Sequence, residues 1–127
     1  ELTKFGFSET FYVFREFETI SAAELRSFSA SAIAIAKLSK TIPLPCGLFE
    51  CVSCFAVAVA GQVEAGVAES VRQGMPTKHF AAFEIPVLFN RSNGQLSYLE
   101  KTPIWGCAYY SGFRSQIARY LGHAAAA

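Results

Sequence analysis

Three of the four cysteines lie between positions 46 and 54, spaced C-x4-C-x2-C, and the fourth is Cys107. Thiolates are soft ligands and good nucleophiles. Cys46, Cys51, Cys54 and Cys107 are therefore candidates for a metal or iron–sulfur site, or for thiol redox chemistry. A second candidate is Glu84, inside the apolar run Phe80-Ala-Ala-Phe-Glu-Ile-Pro-Val-Leu-Phe. A carboxyl buried there would keep its proton to higher pH and could serve as a general base. The third is an aromatic segment, Trp105, Tyr109, Tyr110 and Phe113, with Arg114 as its cation. Trp105, Tyr109, Tyr110 and Arg114 could line an apolar pocket and orient a ligand with their polar tips.

Each candidate has a plainer reading. The cysteine spacing matches the loop by which plant-type ferredoxins hold two irons. That loop needs small residues and backbone N–H groups aimed at sulfur, whereas Leu48, Phe49 and Glu50 are bulky and the gap from Cys54 to Cys107 is long. If residues 51 to 54 form a strand, positions 51 and 54 fall on opposite faces and cannot share a metal. Zinc would need all four cysteines, or His79 or His123 as substitutes, and a disulfide would need export. The expectation is that these cysteines are small buried hydrophobes, and that the protein uses no cofactor.

Glu84 shares parity with Pro86, and proline favours an edge strand, so an outward-facing Glu84 is the preferred reading. His79 is five residues away, which on one extended strand puts the two on opposite faces and makes them a poor acid–base pair. The aromatic segment suits a subunit contact as well as a pocket or a core, because Tyr, Trp and Arg are enriched at interfaces.

A chain of 127 residues is long enough for one core, and residues 1–123 read as a single α+β domain with 124–127 as a tail. Hydrophobic residues make up 52% and charged residues only 17%, which excludes disorder. Twelve Phe and five Tyr are much ring to bury, so some aromatic surface should end in a pocket or a subunit interface. The net charge is +1 with the signs scattered, so no basic stripe favours nucleic acid. All ten acids are Glu. The absence of Asp excludes a Ser-His-Asp triad and Asp-based calcium loops. No uncharged run is long enough to span a bilayer. No leader is visible, although a chain that opens at Glu1 is compatible with one having been removed.

These residues must be positioned by about seven elements. Alternation over Phe5 to Phe17 predicts a strand centred on Thr10 to Glu16. Ser21 and Glu24 form a capping box, and the helix they open presents Leu25, Phe28, Ala32, Ile35 and Ala36 and ends near Lys40, before Pro43 and Pro45. Phe55 to Ala60 reads as a central strand, apolar on both faces, whose all-Ala face should dock that helix. Gly61 should end the strand, and a surface helix follows with Val63, Val67 and Val71 in one row, stopping at Gly74 and Pro76. Phe80 to Phe89 is a strand, Ser92-Asn93-Gly94 a turn and Leu96 to Glu100 its hairpin partner. Ile104 to Tyr110 is a further candidate strand. The last helix opens at Ser111, presents Phe113, Ile117, Tyr120 and Leu121, and stops at Gly122.

The fold class expected is α+β: a mainly antiparallel sheet with helices on one face, a two-layer sandwich. A ferredoxin-like or dimeric α+β-barrel topology would suit its first half. The function expected is a non-enzymatic, cytoplasmic binding module. It would act as a homo-oligomer on a small apolar or aromatic ligand. A thiol redox or metal protein and a small enzyme with Glu84 as base are the alternatives.

Overall fold

The computed structural model describes residues 2–3, 6–39, 50–74, 78–79, 82–100 and 107–126, with side chains over 9–39, 52–74, 82–100 and 112–122. In chain order the elements are β1 (Leu2–Thr3), β2 (Gly6–Ile20), α1 (Ala22–Ser39), β3 (Glu50–Val63), α2 (Val67–Gln73), β4 (Lys78–His79), β5 (Ala82–Asn90), β6 (Gln95–Tyr98) and α3 (Cys107–Ala126).

The capping box forms as its residue types require. The Ser21 N–H donates to Glu24 Oε2 at 2.9 Å, and the Glu24 N–H donates to Ser21 Oγ at 3.2 Å. Hydrogen bonds from the Ser21 backbone N–H and hydroxyl, with a smaller contribution from the Arg15 charge, hold the Glu24 carboxyl below its usual range. The reversal of direction at Ser21 sends α1 back along the sheet, so β3 starts again beside the start of β2. The two strands are consequently parallel, paired from Phe7↔Glu50 to Ile20↔Val63. β3 and β5 are also parallel, from Val52↔Ala82 to Ala60↔Asn90. The sheet order is β1-β2-β3-β5-β4, with β6 also on β5, and only the short strands β1, β4 and β6 pair antiparallel.

The protein is thus α+β with a mixed sheet, and the expectation of a mainly antiparallel sheet is corrected. The ferredoxin-like and dimeric-barrel alternatives rest on the same antiparallel pairing and go with it. The crossovers β2–α1–β3 and β3–α2–β5 step the same way across the sheet and place α1 and α2 on one face, as two crossovers of one hand must. Helices on one face only is also corrected, because α3 lies on the other face. One core joins Leu25, Phe28, Ala32, Ile33 and Ala36 of α1 and Val67 and Val71 of α2 to Ala56, Ala58 and Ala60. The other joins Phe113, Ile117 and Leu121 of α3 to Phe55, Val57, Phe83, Ile85 and Val87. The all-Ala face of β3 does dock α1.

Several boundaries differ for identifiable reasons. β3 runs through Gly61 to Val63, because a Cβ at position 61 would stand 3.0 Å from the Glu18 carbonyl oxygen on the neighbouring strand. Gly61 is there for close approach, not as a breaker. The reversal instead falls at Gly66, whose φ of 83° suits glycine. The buried row of α1 passes through Ser29 and Ile33, leaving Ile35 54% exposed. Cys107 to Tyr110 is the start of α3, not a strand, and the helix continues past Gly122 to Ala126, alanine being the strongest helix former. The turn after β5 is as expected: Gly94 has φ 71°, and Asn93 Oδ1 accepts from the Gln95 N–H at 2.9 Å.

Two substitutions should move stability in opposite directions. Ala58 is fully buried between β3 and α1, so Ala58→Leu overpacks that contact and should cost about 1–3 kcal/mol. Ser29 Oγ is buried with no hydrogen-bond partner among the described residues, so Ser29→Ala should stabilise by about 1 kcal/mol. Urea denaturation followed by circular dichroism reads both.

Candidate functional site

Alternation along β2 sends Phe11, Val13 and Phe17 toward the α1 side, where they pack on that core. It sends Thr10, Tyr12 and Phe14 to the side of α3. Tyr12 is fixed there by rings. It stacks on Phe55 with centroids 4.8 Å apart and planes 8° from parallel. Phe55 is fully buried and meets Phe113 edge-on at 5.9 Å, and Phe113 meets Phe83 at 5.1 Å. Tyr12 is therefore the outer end of an aromatic chain rooted in the core.

The polar tip of Tyr12 and one flank of α3 enclose a groove. The Tyr12 hydroxyl donates to Gln116 Oε1 at 3.2 Å. Burial, and secondarily Tyr120, pushes the Tyr12 phenol above its ordinary value, so it stays a neutral donor. Tyr120 meets Tyr12 edge to face at 6.2 Å, and the Arg119 guanidinium lies over the Tyr120 ring, 5.4 Å from its centre. Thr10, Tyr12, Ser115, Gln116, Arg119 and Tyr120 line an open groove of about 420 Å³. Its walls offer two aromatic surfaces at a steep angle, one cation and several neutral hydrogen-bonding groups. Such a set can hold a flat ring and pair with an acidic group on it.

The sequence-based candidates are dispersed. Trp105 and Cys46 lie outside the described residues. Tyr109 and Tyr110 fall in the first turn of α3, and Arg114 is half-buried one turn on, outside the groove lining. Tyr120, expected in the core, is 58% exposed. The groove residues carry little signal in the sequence, because the aromatic cluster lies before the part of α3 that lines the groove. The usable signal was the row Gln116, Arg119, Tyr120, which flanks the apolar row Phe113, Ile117, Leu121 at helical spacing.

Cys51 and Cys54 sit in one strand, three positions apart, so they belong to opposite faces and the C-x4-C-x2-C reading as a single metal site fails. Among the described residues no three His, Cys or Glu side chains come together to hold a metal. The side chains of Cys51, Cys107, His79 and His123 lie outside those described.

Glu84 is 6% exposed, which corrects the outward-facing reading. The parity argument assumed that Pro86 marks an edge. β5 is internal, with β3 on one side and both β4 and β6 on the other. β4 pairs with Ala82 and Phe83 and β6 with Val87 to Asn90, so Pro86 falls in the interval between them, where that side has no ladder among the described residues. Glu84 is registered to Cys54. His79 is registered to Ala82 across an antiparallel pair, so the two are not on one extended strand as the spacing argument supposed. Glu84 and the groove are on opposite faces of the sheet and do not form one site.

Comparison with protein-family models, with curated proteins and with solved structures finds no match for this chain. Among the described residues no helix is long and apolar enough to cross a membrane.

Burial, with the Glu84 carboxylate adding to it, pushes the Cys54 thiol up to about 12. At about pH 8 it should be a protonated, unreactive thiol. Iodoacetamide should leave Cys54 unlabelled in the native protein and label it once guanidinium unfolds the chain, as read by peptide mass spectrometry. Rapid native labelling would return Cys54 to the list of working thiols.

Proposed function

We propose that the protein is a binding module for a small aromatic ligand carrying an acidic group, held in the groove between β2 and α3. The observation that carries this reading is the Tyr12–Tyr120 edge-to-face pair with Arg119 laid over its outer ring. Tyr12 cannot swing away, because Phe55 backs it in parallel stacking and Gln116 accepts its hydroxyl proton. A ring entering the groove meets a preformed surface and loses little to reorganisation. The groove volume is in the range that small-molecule sites use. Arg119 is exposed at the rim and can turn from Tyr120 to a carboxylate without uncovering a buried charge.

Among the described residues that line this groove there is no carboxylate, imidazole or thiol, and its hydroxyls belong to Thr10, Ser115 and the two tyrosines. The neutral, hydrogen-bonded Tyr12 suits recognition more than proton transfer. Binding without turnover is therefore the activity proposed.

1-Naphthoate is a suitable probe, followed by the Gln116 side-chain amide signals in two-dimensional NMR. The acid should shift these signals saturably. Arg119→Ala should raise its Kd on the order of tenfold, the worth of one charge-assisted contact. Neutral 1-naphthalenemethanol should bind wild type and Arg119→Ala alike, and Tyr120→Ala should weaken both ligands. No shift at Gln116 with either ligand would remove the proposal.

A further inference from the structure

The side chains that line the groove differ in the sense of the hydrogen bonds they can make. Arg119 has only donors. The hydroxyls of Thr10 and Ser115 can donate or accept, so they set no preference. Gln116 carries a donor group and an acceptor at one end, and which of them meets a ligand depends on how the amide is turned. Tyr12 fixes that turn, because its hydroxyl donates to Gln116 Oε1 at 3.2 Å. Burial supports the arrangement by keeping the phenol protonated. The Tyr12 ring is itself held, stacked on the fully buried Phe55 with planes 8° from parallel.

We propose that Gln116 is the specificity-determining residue of the groove. With its oxygen turned to Tyr12 it shows a ligand its NH2 group, so the groove takes aromatic acids that present hydrogen-bond acceptors toward α3. A heteroaromatic acid with an unprotonated ring nitrogen, or with a carbonyl on the ring, has such an edge. A ring N–H does not: it would meet N–H against N–H, and turning the amide to receive it breaks the bond to Tyr12. A part-buried hydroxyl would then lose its acceptor, and that loss sets the preference. Gln116 and Arg119 stand three residues apart on α3, with Cβ atoms roughly 5–6 Å apart on one side of the helix. The acid group can therefore take the guanidinium while the ring acceptor takes the amide. This selectivity rests on the groove being a site for a flat ring, and the two can fail separately.

Quinoline and indole are uncharged bicyclic probes of similar outline. The first is only an acceptor, through its ring nitrogen, and the second only a donor, through its N–H. Titrations at about pH 8, followed at the Arg119 and Tyr120 backbone amides in two-dimensional NMR, should show quinoline bound roughly fivefold more tightly, the worth of one neutral hydrogen bond. Gln116→Glu can still accept from Tyr12 but has no N–H to offer, so it should reverse the order in favour of indole. Tyr12→Phe keeps a ring on Phe55 and frees the amide to turn, so it should bring the two affinities together. Circular dichroism confirms that both variants are folded. A merely structural Gln116 would weaken both probes without changing their order. Equal binding in wild type, or a preference for quinoline that survives undiminished in either folded variant, would overturn the selectivity and leave the ring site standing. No shift with either probe would remove both.

Discussion

A strand that is apolar on both faces has to be covered on both, and β3 imposes that constraint on everything around it. Its two faces are chemically different. Ala56, Ala58 and Ala60 present a flat surface on which a helix can lie close, and α1 does so with Ala32 and Ala36. Phe55 and Val57 present a bulky surface that needs interdigitating partners, which Phe113 and Ile117 of α3 supply. Burying β3 also needs strands on both edges. With one helix between each pair of consecutive long strands, the geometrically available solution is parallel pairing.

Local instructions were legible in the sequence, and long-range pairing was not. The Ser21–Glu24 box, the Asn93-Gly94 turn and the docking of α1 on alanines depend on residues close together or on a single matched surface. The sense of a strand pair is decided by where the connecting helix delivers the chain, and no residue of the strand reports it. β2 showed alternation and β3 showed none, yet both pair parallel. The unbroken apolar run of β3 suits a parallel core strand, but it marks a central strand of either sense equally well.

The site residues illustrate the same limit. Pro86 points to an edge strand and so to an outward Glu84, but proline needs only a short interval without a ladder, and Glu84 is buried. For Cys51 and Cys54 the sequence supports a conditional argument, strand or cluster, and both residues lie in β3. Tyr120 was assigned to the core by its spacing from Phe113 and Ile117. Spacing alone cannot say where a helix face meets the margin of a sheet, and at that margin an apolar position becomes the wall of a groove.

That margin follows from unequal coverage. Two helices cover one face of the sheet and a single helix covers the other. α3 is placed over β3 and β5, where the largest rings lie, and it reaches β2 at the margin through Gln116 and Tyr120. Beyond that line the sheet continues to Phe14, with no helix above it among the described residues. The same shortage of cover therefore opens the groove beside Tyr12 and leaves the Phe14 side chain exposed.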